Sequence, residues 1–212
     1  MQLPFSEREF LEVFGSYNTA LWPGALALWV ASVAVLVLVL RGQRIDRLVS
    51  LLLAVHWAWA AIAYHFAYFA PINPAALLFG VLFLLEALLL GWAGLKGEPI
   101  RYGYERTARH MLGIALAVYA LSYPFLAMAL VQPYPSTPTF GVPCPTTLFT
   151  VGLFLMSTPT LWRLAAIPLL WTAIGGSAAL LLGVVTDFAL LGAGVFLITY
   201  IVARMVQKRR AT

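Results

Sequence analysis

Few side chains in this sequence could do chemistry, and each stands out against an apolar background. Glu86 lies ten residues before Lys96, and His56 lies nine residues after Arg47. If both runs are helical, the rise of 1.5 Å per residue places Glu86 about 15 Å and His56 about 13 Å from the same boundary, at matching depth on consecutive antiparallel helices. A carboxylate at that depth costs about 2.5–3.5 kcal/mol on insertion scales, so it is expected to face a partner or a water-filled space. Together the two could relay a proton or cation. The competing reading is packing: a protonated Glu86 hydrogen-bonded to His56 or to a backbone carbonyl.

A second set gathers toward the opposite boundary: Asn18, Tyr64, His65, Asn73, Tyr123, Thr146, Thr147, Ser177 and Asp187. Helix ends in water are polar anyway, and capping accounts for part of the set. A lone imidazole and a lone acid in otherwise uncharged outer segments are harder to dismiss. The expectation is an outward-facing ligand pocket formed by His65, Asn73, Cys144, Thr146 and Asp187. Cys144 belongs to Pro138-Thr139-Phe140-Gly141-Val142-Pro143-Cys144-Pro145-Thr146-Thr147, in a stretch with prolines at 133, 135, 138, 143 and 145 that cannot be helical throughout. Its thiol could bind a soft metal ion. As the single cysteine it reads more plainly as a small apolar side chain.

These residues must be positioned by membrane-spanning helices. The stretches 13–40, 48–85, 110–162 and 164–186 contain no Asp, Glu, Lys or Arg, and about 20 apolar residues suffice to cross the ~30 Å hydrocarbon core. The expected architecture is one all-α polytopic domain over 1–212, with seven spans at about 19–40, 48–70, 74–95, 110–131, 145–158, 161–183 and 184–206. A short amphipathic interfacial helix over 6–16 is expected to precede them, capped by Ser6 with Glu9 at the capping-box position. Asn73-Pro74 reads as an N-cap and first-turn proline for the third span. The fifth span covers only about 21 Å before Pro159. Segment 138–145 is therefore expected to dip into the protein in re-entrant fashion, because irregular backbone at membrane depth must be buried in protein or line a cavity.

Composition agrees. The chain is 62% hydrophobic and 10% charged, whereas a soluble domain carries roughly a quarter charged residues. Seven spans put twelve of the 13 basic residues on one side and Arg8 on the other, which orients the N-terminus outside and the C-terminus in the cytoplasm. Basic residues scattered singly at span ends argue against nucleic acid, and the acidic first turn argues against a cleaved signal. Two familiar membrane cofactors are disfavoured. Span 184–206 has no lysine for a retinal Schiff base. His56, His65 and His110 lie at about 13, 27 and 0 Å from the inner boundary, too uneven for bis-histidine haem. Asn73-Pro74-Ala75 occurs once, without the second copy an aquaporin-like pore needs.

Tyr17-Asn18 followed by Trp22-Pro23, Tyr64-His65 followed by Ile72-Asn73-Pro74-Ala75-Ala76, Gly141-Val142-Pro143-Cys144-Pro145-Thr146-Thr147, and Leu170-Trp171 followed by Ile174-Gly175-Gly176-Ser177-Ala178-Ala179 resemble an uncharacterised family of bacterial multi-pass integral-membrane proteins. That resemblance implies a domain of unknown function in the bacterial inner membrane and brings no activity with it. From the residues, the leading expectation is a small-solute or cation transporter or channel. The alternative is a membrane-embedded ligand-binding sensor or accessory subunit. An intramembrane enzyme lacks a nucleophile–base pair or a metal-ligand set. The orientation is tested by a cysteine at position 208, which an impermeant reagent added to intact cells should leave unmodified; efficient labelling would falsify the inside placement of the basic tail.

Overall fold

A computed structural model describes residues 4–96, 100–158 and 162–210, the side chains at 207, 208 and 210 excepted. The expected start of the sixth span at 161 lies outside the described residues. Helix α1, Glu7–Leu40, opens on the expected capping box between Ser6 and Glu9. It then runs unbroken for 34 residues, so the separate interfacial helix over 6–16 is not formed. The reason is that its apolar side finds protein instead of headgroups: Phe10 packs on Phe69 and Phe14 on Tyr64. Gly15, the one weak helix former before Asn18, costs only about 1 kcal/mol in a helix interior.

Helix α2, Asp46–Trp59, continues into a π-helical segment, Ala60–Phe69, which carries Tyr64 and His65. Helix α3 is Ala75–Leu95, and the Asn73 side chain caps it by accepting from the Ala75 N–H at 3.2 Å. Helix α4 is Ala108–Leu130, α5 is Pro143–Leu155 and α6 is Trp162–Leu182. A 3₁₀ turn, Val185–Phe188, then leads into α7, Ala189–Arg210. Among the described residues six helices are long and apolar enough to cross a membrane. The exception is α5, at 13 residues or about 20 Å.

That short helix is the centre of the bundle. Every residue of α5 except Cys144 is buried, and it packs against α2, α4, α6 and α7. A helix surrounded on all sides needs no polar face, which is why Leu148 to Leu155 show none. The chain reaches it from above through 137–143, where Thr137, Phe140, Gly141 and Val142 are already buried. It leaves below into β2, Ser157–Thr158, which pairs antiparallel with β1, Arg101–Tyr102, between α3 and α4. Sequence patterning did not anticipate this two-stranded ribbon. It ties the end of α5 to the segment that leads into α4. Arg109 secures the same corner, donating from Nη1 to the Ser157 carbonyl at 2.9 Å while its guanidinium lies over the Tyr200 ring.

Helices α4 and α5 approach through Gly113 and Gly152. A Cβ added at Gly152 would lie 2.7 Å from the Gly113 carbonyl oxygen and 2.8 Å from the Ala117 nitrogen, backbone atoms that cannot yield without moving a helix. Gly152→Ala is therefore expected to destabilise the protein by about 1–3 kcal/mol, as overpacking does. Gly192→Ala, where a Cβ meets nothing within 4 Å, should be neutral or better. Thermal unfolding in detergent checks the contrast.

Candidate functional site

Proline removes the amide donors on which helices depend, so the segment between α4 and α5 needs side-chain help to enter the protein. Asn18 of α1 supplies it. Its amide nitrogen donates to the carbonyls of Pro135 at 2.6 Å and Thr137 at 2.8 Å, and its amide oxygen accepts from the Thr139 hydroxyl at 2.6 Å. Gly141 then turns the chain with φ +89°, in a space where a Cβ would lie 3.0 Å from the Tyr17 hydroxyl and 3.1 Å from Trp59 Nε1. Those two neighbours bond each other at 2.7 Å. The expected inward dip of 138–145 is thus present, held chiefly by Asn18 and joined by Thr139.

Below this entry lies a cavity of about 400 Å³. His65, Asn73, Cys144 and Asp187 all line it, bringing four of the five expected pocket residues together. Thr146 does not line it. Two residues after Cys144 on α5, it points about 200° away and is buried on the opposite side, its hydroxyl without a partner. The wall is less polar than expected. Phe5, Phe10 and Phe14, Phe69 and Phe79, and Trp171 dominate it.

The polar groups in that wall divide into satisfied and unsatisfied ones. Asp187 accepts from the Tyr123 hydroxyl at 2.5 Å; Thr186 donates to Tyr123 at 3.1 Å, and Tyr119 donates to the Thr186 carbonyl at 2.8 Å. The Cys144 thiol lies against Asp187 and the Trp171 indole. His65, in contrast, is fully buried with neither ring nitrogen bonded. Its ring is boxed by Phe83 at 4.8 Å, Trp171 at 5.3 Å, Tyr64 at 5.4 Å and Phe79 at 5.9 Å between centroids. His65 and Asp187 share the cavity without bonding each other, because Tyr123 takes the acid and aromatic rings surround the imidazole. Among the described residues no three His, Cys, Asp or Glu side chains gather as a metal site would require.

The deeper pair is also separated. Both Glu86 and His56 are buried, as expected for intramembrane ionisable groups. His56, however, bonds Ser32 Oγ through Nε2 at 2.8 Å and packs edge-on to Phe140, leaving Nδ1 free. Ser32 spends its own proton on the Leu28 carbonyl at 2.8 Å, so His56 Nε2 is the donor in that bond. Neither oxygen of Glu86 has a hydrogen-bond partner. The two residues do not meet: His56 turns toward Ser32 of α1 and Phe149 of α5, and Glu86 lies on the face of α3 that carries Phe83.

A model of a family of unknown function, DUF6064, matches residues 7–212. The chain belongs to this family. No curated protein and no solved structure matches it. What the family description leaves open, the geometry of this DUF6064 chain narrows to the cavity and to the two buried groups behind it. Sequence reasoning underrated three of the residues involved. Asn18 and Tyr123 read as helix-end polar residues, and Trp171 entered only as part of the family resemblance; no spacing pattern announces an asparagine that clamps a segment more than a hundred residues away. Cys144 reports on the whole arrangement. A small methanethiosulfonate reagent should modify it through the cavity while a bulky maleimide reacts far more slowly. Equal, rapid reaction with both would place it on an open loop instead.

Proposed function

We propose that this chain is a multi-pass protein of the bacterial cytoplasmic membrane, N-terminus outside and C-terminus inside, that binds an amphipathic small molecule in its outer cavity and acts as a membrane-embedded sensor or accessory subunit. The observation that carries the reading is His65, fully buried in the cavity wall with both ring nitrogens unpartnered. A buried polar group left unmade costs about 1–3 kcal/mol, which a ligand can recover by completing its hydrogen bonds. Trp171 Nε1, in the same wall, is unpartnered as well. Two N–H donors facing an aromatic space suit a planar head bearing a carbonyl oxygen, with an apolar body against the phenylalanines. Ser177 and Leu181 belong to the wall and are exposed on α6, so the ligand enters from the side, at the level of the lipid headgroups. The basic residues at the opposite end of the bundle support the orientation.

Transport is the second reading, favoured by one specific observation: Glu86, an unpartnered carboxyl, lies beyond the cavity floor. A solute would have to pass the layer formed by Phe83, Trp57 and Trp171, whose rings lie 4.3–4.9 Å apart. Flux in proteoliposomes separates this reading from binding alone.

The binding reading is tested by thermal unfolding of the full chain in detergent with a short-tailed benzoquinone as the carbonyl-bearing probe and a straight-chain alcohol of similar size as control. A ligand that binds only the native state raises the unfolding temperature in proportion to its saturation. The quinone is expected to stabilise the wild type and the alcohol to do so weakly. His65→Phe should remove the difference while leaving the unliganded unfolding temperature unchanged or higher. Equal stabilisation by both compounds, or a quinone effect that survives in His65→Phe, contradicts the assignment.

A further inference from the structure

Behind the cavity floor the protein buries a carboxyl group that ligand binding does not use. Glu86 has no exposed surface, and neither of its oxygens has a partner. Phe83, one turn earlier on the same face of α3, packs on Trp57 at 4.3 Å, His65 at 4.8 Å and Trp171 at 4.9 Å. An aromatic layer therefore stands between Glu86 and the cavity.

Toward the other end of the bundle the surroundings are polar. Ser50 packs against Gly94, two turns from Glu86 on the same buried face of α3, and Tyr102, carried inward by β1, is buried beside it. Its hydroxyl pairs with Ser50 Oγ at 3.3 Å, and its N–H donates to Asp46 Oδ1 at 2.8 Å, which fixes the strand that presents it. Ser50 and Asp46 in turn line a cleft of about 190 Å³ together with Arg47 and Lys96. Hydroxyl groups thus lead inward from a water-accessible cleft toward the buried acid. Burial pushes the Tyr102 hydroxyl well above its usual range, so it stays neutral and can both accept and donate a proton.

Among the described residues no Lys or Arg bonds Glu86. Helix α2 and its π-helical continuation contribute Asp46 and Arg47 at the inner cleft, His56, bonded to Ser32, and His65, enclosed by rings. Strand β1 contributes Tyr102. Helix α6 has Arg163 as its one titratable residue, at its far inner end. An ionised carboxylate without a counter-charge is costly at membrane depth, whereas a carboxyl that takes up and releases a proton is the form in which such groups serve relays.

We propose that Glu86 is a proton-binding site supplied from the inner cleft through the hydroxyls of Ser50 and Tyr102. The assignment does not rest on the nature of the ligand in the outer cavity. Protonated carboxyls in apolar surroundings add dicyclohexylcarbodiimide to form a stable acylurea, so mass spectrometry of the labelled full chain should find the adduct on Glu86, diminishing as the pH is raised. Infrared difference spectra should contain a protonated-carboxyl C=O band that is lost in Glu86→Gln. On transfer to D₂O that band should shift promptly in the wild type, and several-fold more slowly in Tyr102→Phe and in Ser50→Ala. If Glu86→Gln does not fold, the adduct on the wild type still identifies the reactive residue. Absence of a Glu86 adduct at every pH overturns the site. An exchange rate unchanged in both hydroxyl variants overturns the route.

Discussion

The arrangement depends on one polar contact: the Asn18 side chain holding the backbone of Pro135 and Thr137 and the hydroxyl of Thr139. Five prolines within 133–145 leave that backbone short of its own donors, and carbonyls without partners are not tolerated away from water. Once they are bonded, the chain can enter the bundle before it becomes helical. That is why α5 can be only 13 residues long and still lie in the middle of the protein. A full-length span at this position would have carried Pro143–Leu155 out to lipid or pushed its neighbours apart. A short one lets α2, α4, α6 and α7 close around it, with Trp57 Nε1 donating to Thr150 Oγ1 at 2.9 Å as a direct tie between α2 and α5.

The cavity follows from the same geometry. Because α5 begins below the level where the other helices end, the space above its first turn is left to the side chains of α1, the π-helical segment, α6 and the 3₁₀ turn. Widening a helix into π geometry changes the direction of the residues within it, and such segments recur at functional sites. Here it carries Tyr64 and His65 into the wall. Asp187, buried by the 3₁₀ turn, is satisfied by Tyr123 from α4, whereas His65 is satisfied by nothing. Of these two groups one is a finished structural contact and the other an unmade hydrogen bond, which is why the proposed ligand's polar head is assigned to His65. Behind His65 the rings of Phe83, Trp57 and Trp171 close the space and Glu86 waits beyond them, so the molecule is layered along its axis: apolar cavity, aromatic barrier, buried acid, polar cleft.

The sequence made the helices legible because uncharged runs and basic borders are imposed by lipid, and lipid acts on every span alike. The limits of α2, taken with its π-helical continuation, and of α3 to α6 lie within a few residues of the expected spans, whereas α1 starts twelve residues before the expected 19, and the caps at Ser6 and Asn73 were readable from their spacing. His65, Asn73, Cys144 and Asp187 were legible as a group because they are polar side chains near one end of otherwise uncharged runs, although Asn73 also caps α3 and Asp187 is bonded to Tyr123. Rotation about the helix axes was not legible. Depth placed Glu86 level with His56, but whether two side chains meet depends on which face each helix turns inward, and helices as uniformly apolar as α3 carry little record of that. The β1–β2 ribbon escaped notice for a related reason: two-residue strands have no periodicity to detect. Thr146 was included as a polar residue at the start of the fifth span, but it lies two residues after Cys144 on α5, and two residues along a helix point to nearly opposite sides.

The central claim is that α5 is sheathed by protein on every side. It is tested most directly by photolabelling the wild-type chain in liposomes with a diazirine confined to the acyl-chain region, followed by peptide mapping. Peptides from α3 and α7 should be labelled at lipid-facing positions such as Leu78, Leu88 and Val195, which are more than half exposed. Residues 143–155 should remain unlabelled throughout. Labelling of Pro143–Leu155 at a level comparable to α3, recurring at helical spacing along one side, would show that α5 faces lipid and that neither the cavity nor the layering beneath it is built as described.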